Sequence, residues 1–155
     1  MSAISALGRL GAVVITALSM LLVGACTLYA DTAQTGLEER ILQIGKCRTI
    51  VEIADTPESR STGLMHRDFM DQNRGMIFIF DRVGPVGFWM KNTRIPLEIA
   101  FLDRDLKVLA IARMKPFDLS QTRGPDRTLY ALEVNPGHFG RCGSGVGETL
   151  EFVEE

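Results

Sequence analysis

The chain has little of several things that usually announce a function. Of 155 residues, 17 are Lys or Arg and 19 are Asp or Glu, for a formal net charge of -2. With no surplus of either sign, a strongly cationic nucleic-acid binder and a polyacidic tail protein are excluded. There is no internal repeat and no low-complexity run. Hydrophobic residues at 46% and charged residues at 23% sit near the globular average, which excludes a disordered, collagenous or coiled-coil chain. GxSxG, HExxH, P-loop and GxGxxG motifs are all missing, so several common enzyme classes lack their signature. Histidine is limited to His66 and His138, and cysteine to Cys26, Cys47 and Cys142. Without CxxC or HxxxH spacing, His66, His138, Cys47 and Cys142 give no reason to expect zinc. Met65, Met70, Met76, Met90 and Met114 lie in apolar segments and read as core filler in place of copper ligands. No metal and no cofactor is expected.

Acidic residues are also missing before Asp31, where Arg9 is the one basic residue. Leu10 to Ala25 (LGAVVITALSMLLVGA) is apolar apart from Thr16 and Ser19. A positive start, an apolar stretch and small residues at its end form the pattern of a signal peptide over residues 1–25. The run is about sixteen residues, below the roughly 20 of a spanning helix. Val23-Gly24-Ala25-Cys26 resembles a bacterial lipoprotein box, which makes Cys26 the lipidation candidate. Two alternatives stay open. One is simple secretion with cleavage near Ala30. The other is an uncleaved N-terminal anchor, since Thr27, Leu28 and Tyr29 extend the run without a charge. All three predict an exported, periplasmic protein, membrane-associated through a lipid or an anchor in two of them. Residues 26–45, with the polar stretch Asp31 to Gly36, are assigned to a tether, and 46–155 to a single domain.

If Cys26 carries lipid, Cys47 and Cys142 remain, one near each end of the domain. In an oxidising compartment they are candidates for a disulfide. Two unrelated thiols are the alternative.

The periodicity predicts a mainly β domain. Residues 48–54 alternate as a half-buried strand. Asp55-Thr56-Pro57-Glu58 starts a short helix, with a polar cap and proline at the first helical position. Gly75 to Phe80 is a nearly continuous apolar strand. Phe88-Trp89-Met90 is extended, and 95–102 with 106–112 forms a hairpin around Asp103-Arg104-Asp105. Strands follow at 129–134 and 150–153. Residues 115–127 read as a long surface loop and 136–147 as irregular. The expected architecture is a compact β-sandwich or partly open barrel of about six or more strands with one or two short helices.

Several polar groups sit where the apolar pattern predicts burial. Glu98 shares a strand face with Ala100 and Leu102, and Glu133 with Leu129 and Ala131. Lys91-Asn92-Thr93 follows the Phe88-Trp89-Met90 segment. Buried charges must be paired or must bind something. Structural pairs of Lys91 or Arg60 with Glu98 or Glu133 are one account. The other is a polar-lined pocket made by Arg60, Trp89, Lys91, Asn92, Glu98 and Glu133, in which Trp89 supplies a flat apolar wall. Arg60, His66 and Arg67 around Gly63 also suggest a weak anion site.

Gly63-Leu64-Met65-His66-Arg67, Gly75 to Phe80, Phe88-Trp89-Met90-Lys91-Asn92-Thr93, Ile95 to Asp103 and Ala131-Leu132-Glu133-Val134, in this order, resemble the DUF192 (UPF0127) family across about residues 46–153. The resemblance implies a compact β-sandwich-like domain, in a family whose members often carry an export signal. It implies no activity and no catalytic residues. The usual aspartate of the IPLDI segment stands here as Glu98, and the Gly-Asp of the final turn as Gly147-Glu148.

The leading expectation is therefore a non-catalytic envelope domain that binds a small molecule or a polymer segment. A rival is a carboxylate-dependent, hydrolase-like enzyme using Glu98 and Glu133 with Lys91, which requires both carboxyls in one cleft. A third is a protein-interaction module docking through the 115–127 loop. No nucleic-acid partner is expected.

Overall fold

The computed structural model describes residues 32–154. The signal peptide and Cys26 lie outside the described residues. Nine strands and two short helices follow in the order β1 (Glu39–Ile44), β2 (Cys47–Ala54), α1 (Pro57–Thr62), β3 (Arg74–Ile79), β4 (Gly87–Phe88), β5 (Leu97–Leu102), β6 (Val108–Met114), β7 (Thr122–Arg123), β8 (Tyr130–Val134), α2 (His138–Cys142) and β9 (Glu151–Val153). Seven strands form one mixed sheet ordered β6-β5-β8-β3-β2-β1-β9, while β4 and β7 form a two-stranded sheet. The β2–β3 pair is parallel and its crossover carries α1. The mainly β class is as the sequence predicts.

The large sheet curls without closing. Its edges are tied by the segments flanking β6 and β9: Val108 N–H donates to Glu148 O, Gly147 N–H to Val108 O and Leu150 N–H to Leu106 O. Inside the curl lies one core, with Leu42, Ile44, Val51, Ile53, Ile77, Ala100, Leu102, Leu132 and Val134, plugged by Phe139 and Cys142 of α2. The other face carries a second core of Met76, Phe78, Leu97, Ile99, Phe101 and Ala131, covered by Leu64 and Met90. Strands apolar on both faces, such as β5, are buried at every position because each face has its own core.

The structure departs from the sequence reading at three places. Most of the described part of the 26–45 tether is ordered on the domain. Leu42 and Ile44 of β1 point into the inner core, and the side chain of Gln34 donates to Ser59 O (3.1 Å) and Gly63 O (2.7 Å) at the end of α1. The charges at Glu38, Glu39 and Arg40 mask a strand whose alternation is legible only over its last three residues. Second, α2 forms inside the glycine-rich stretch 136–147, from five residues that no local propensity would hold helical. Third, β7 interrupts the 115–127 loop by pairing with β4. That loop lies on the domain so closely that a Cβ on Gly124 would stand 2.5 Å from the Phe101 ring. Phe117 and Leu119 remain exposed at its outer end.

Cys47 and Cys142 are joined by a disulfide with Cα atoms 5.2 Å apart, linking the start of β2 to the end of α2. Gly45, in the β1–β2 turn, has a left-handed φ of 52° and lies against Cys142 O, where a Cβ would collide with that carbonyl. His138 is buried beside the bridge, its Nε2 2.8 Å from Thr49 Oγ1 and 3.5 Å from Cys142 Sγ. Burial, helped by the charge of Arg141, lowers its pKa and keeps the ring neutral.

Candidate functional site

Residues directly opposite on neighbouring strands share a face. In the β5–β8 pair, Glu98 lies opposite Val134, and Ile99 lies opposite Glu133. Glu98 and Glu133 therefore point to opposite faces of the sheet. The two-carboxylate enzyme, which needs both in one cleft, is overturned by this register, and so is a single pocket holding all six candidate residues.

Glu98 belongs to the inner core, and its role there is structural. Its Oε2 accepts the Gly137 N–H at 2.8 Å and its Oε1 the Phe139 N–H at 3.4 Å, so it satisfies main-chain donors at the start of α2. Arg113 approaches Oε2 at 3.9 Å from the outside. A charge-assisted acceptor of this kind is worth more than a neutral one. Glu98→Gln is expected to destabilise the protein by about 1 to 3 kcal/mol, with the loss centred on α2. Urea midpoints and amide exchange of residues 137–142 measure it; unchanged values in both would show that the carboxylate does not hold the helix.

Glu133 lies on the other face, in a row with Glu52, Met76 and Ile99, and the next row holds Ala54, Phe78, Ala131 and Phe101. Above these rows is a cavity of about 330 Å³. Its floor includes Glu133. Phe78, Phe80, Phe88 and Trp89 form walls, and Arg60, Ser61, Thr93 and Gln121 are among the other lining residues. The rings are arranged edge to face: Phe78 and Phe88 have centroids 4.9 Å apart at 84°, and Phe80 and Phe88 6.2 Å apart at 85°. The aromatic wall is fixed by β4, which the β4–β7 pairing holds over β3 and β5.

Glu133 is 4% exposed. Burial alone pushes its pKa up to about 8. None of the described hydrogen bonds or ion pairs compensates it. The structural pairs expected for it do not form. Arg60 lies at the rim over the Phe80 ring, its Nη1 donating to the main-chain oxygens of Asp55 and Ile79 and its Nη2 meeting Asp81. Lys91 Nζ stands over the Trp89 ring, 5.4 Å from its centroid. Lys91 and Asn92 line an adjoining depression with Thr62, His66 and Trp89. Trp89 is thus the common wall between the cavity and that depression, and the candidates divide into Arg60, Trp89 and Glu133 in one hollow, Lys91 and Asn92 beside it, and Glu98 across the sheet.

Sequence reasoning missed a strong buried ion pair on this face. Arg67 donates to Glu52 with both Nη atoms, at 2.6 and 2.8 Å. Its Nη2 also donates to Gln34 O at 3.1 Å. The weak anion site around Gly63 therefore loses its second arginine to Glu52. Phe78, Phe80, Thr93 and Gln121 were missed as lining residues too. Their sequence signal is that of ordinary core and loop positions; the doublet Phe88-Trp89 is the one local hint of an aromatic wall.

Comparison with known proteins adds a family and two solved relatives. A crystal structure from Sinorhizobium meliloti 1021, described as a candidate transcription regulator, aligns with a TM-score of 0.73 at 30% identity, covering 77% of this chain and 97% of that one. A protein of unknown function from Novosphingobium aromaticivorans DSM 12444 aligns with a TM-score of 0.67 at 30% identity, covering 78% of this chain and 94% of that one. No curated protein matches the chain. The family model that matches, over residues 40–152, is that of DUF192, described as uncharacterized, and the chain belongs to this family.

Proposed function

We propose that the protein is a non-catalytic, exported cell-envelope domain that binds a small molecule in the aromatic cavity above Glu133. The observation that carries the reading is Glu133 itself. An acid buried without a partner costs stability, and its surroundings could have been closed with an apolar residue. Here it opens instead into a hollow walled by Phe78, Phe80, Phe88 and Trp89. An apolar concavity with a few convergent polar groups is the usual form of a small-molecule site. Among the described residues no second acid lines the cavity with Glu133, which favours binding over two-carboxylate catalysis. Export is supported by the apolar run Leu10 to Ala25, the Val23-Gly24-Ala25-Cys26 box and the disulfide, which suits an oxidising compartment.

Native mass spectrometry of the chain recovered from its own membrane tests both parts. The expected result is a chain acylated at Cys26 or carrying its uncleaved leader, with a small molecule bound to it. Ser61→Trp, at the exposed rim, is expected to abolish the bound species without loss of fold. A full-length cytosolic chain with no such species would sink the reading.

A further inference from the structure

Among the described residues, Glu133 is the one buried acid left without a compensating group, and what surrounds it narrows the chemistry of its ligand. We propose that the cavity is a site for an organic ammonium group, primary or quaternary, held between the Glu133 carboxylate and the rings of Phe78, Phe88 and Trp89. The inference rests on the small-molecule reading above and specifies the ligand's class.

The other buried acid on this face, Glu52, already has its cation in Arg67. Glu133 lies in the same row, with Met76 between them and Ile99 on its other side. Neither flanking residue can donate a hydrogen bond. The charged groups that face Glu133 are therefore Arg60 at the rim and the closed Glu52–Arg67 pair. Arg60 is a poor partner because two main-chain carbonyls and Asp81 occupy its fork. For the same reason it is a poor anchor for an anionic ligand.

The walls favour a cation as well. Aromatic rings attract ammonium groups through their quadrupole, most strongly where water is excluded. Two rings of the cavity already do so, Trp89 with Lys91 over its face and Phe80 with Arg60 over its own. Inside the hollow the rings of Phe78 and Phe88 stand perpendicular and wall two sides of it. An acid on the floor and aromatic rings around it are the complement of an alkylammonium. The proton balance is fixed by the burial of the acid, whose pKa of about 8 leaves it mostly protonated at neutral pH. When the cation enters, Glu133 ionises and its proton passes to the buffer, so one charge enters as another leaves.

The test uses the full chain in a non-ionic detergent and reads the fluorescence of Trp89, the single tryptophan. Choline is titrated beside 3,3-dimethylbutan-1-ol, which has the same shape and no charge, and beside a soluble short-chain phosphatidylcholine. Choline is expected to bind saturably and the neutral isostere at least about tenfold more weakly. Glu133→Gln should weaken choline by about tenfold or more while retaining the fold, since the aromatic wall stays and only the counter-charge is removed. Calorimetric heats at pH 7 should change with the ionisation enthalpy of the buffer, reporting the released proton. Binding of choline alone identifies a free amine as the source of the headgroup, and equal binding of the lipid identifies a membrane lipid. If the neutral isostere binds as tightly and Glu133→Gln is without effect, the ammonium assignment falls and the cavity remains a small-molecule site. If none of the three probes binds, and the chain recovered from its membrane carries nothing, both readings fall.

Discussion

Raising the pH from about 5 to 7.5 is expected to cost the wild-type protein several kcal/mol of stability that Glu133→Gln retains. In the unfolded chain the Glu133 carboxyl ionises near 4.5, and in the folded protein burial moves this to about 8. Below 4.5 both states are protonated, so the group adds no pH dependence. Between 4.5 and 8 the unfolded state binds fewer protons than the folded one. Stability then falls by about 1.4 kcal/mol per pH unit, or roughly 3 kcal/mol between pH 5 and 7.5. Above 8 the loss is complete and the curve is flat again. His138 has the opposite sign: its lowered pKa costs stability as pH falls below the usual histidine range. That contribution is common to both proteins and cancels in their difference. Urea unfolding of wild type and Glu133→Gln at a series of pH values measures the effect. Parallel curves would show that Glu133 is not held neutral by burial, and the main physical support for a site above it would go.

Removing the disulfide is expected to have an effect of similar size by a different route. The bridge closes a loop with a sequence separation of 95, which spans every strand from β2 to β8. Its absence releases the unfolded chain, at a cost of about 4 to 5 kcal/mol in the chain-entropy account. Against a typical total of about 5 to 15 kcal/mol, that is enough to leave the domain marginal. Cys47→Ala with Cys142→Ala should therefore lower the urea midpoint sharply, and dithiothreitol should do the same to the wild type. Once reduced, the chain should lose protection first around α2. That helix is five residues long and is held by the bridge, by Glu98 and by the His138–Thr49 contact. Superimposable unfolding curves for oxidised and reduced protein would exclude the account.

The two effects separate what each face of the sheet does. The inner core, with the disulfide, α2 and Glu98, is where the fold is secured. The outer face, with Glu133 under its aromatic wall, keeps a polar group unsatisfied. A protein that invests stability in one place and gives it up in another commonly does so where it binds.

Much of this was legible in residue patterns. The alternation at 48–54, the proline-started helix at Pro57, the apolar run before Phe80 and the hairpin around Asp103 are local signals, because burial, capping and turn chemistry act over a few residues. The mainly β class follows from them, as does the suspicion that Glu98 and Glu133 are buried. What the two acids do was not legible, since the residue pattern along each strand does not reveal which core its face meets. The β5–β8 register decided that Glu98 caps a helix and Glu133 floors a cavity. A shift of one residue in that pairing would have put both acids on one face. The Glu52–Arg67 pair, the pairing of β1 with β9 and the short α2 likewise exist only because distant segments meet. Local sequence thus determined most of the elements and their buried positions. The tertiary structure alone decided which buried charges found partners, because pairing depends on contacts between residues far apart in the chain.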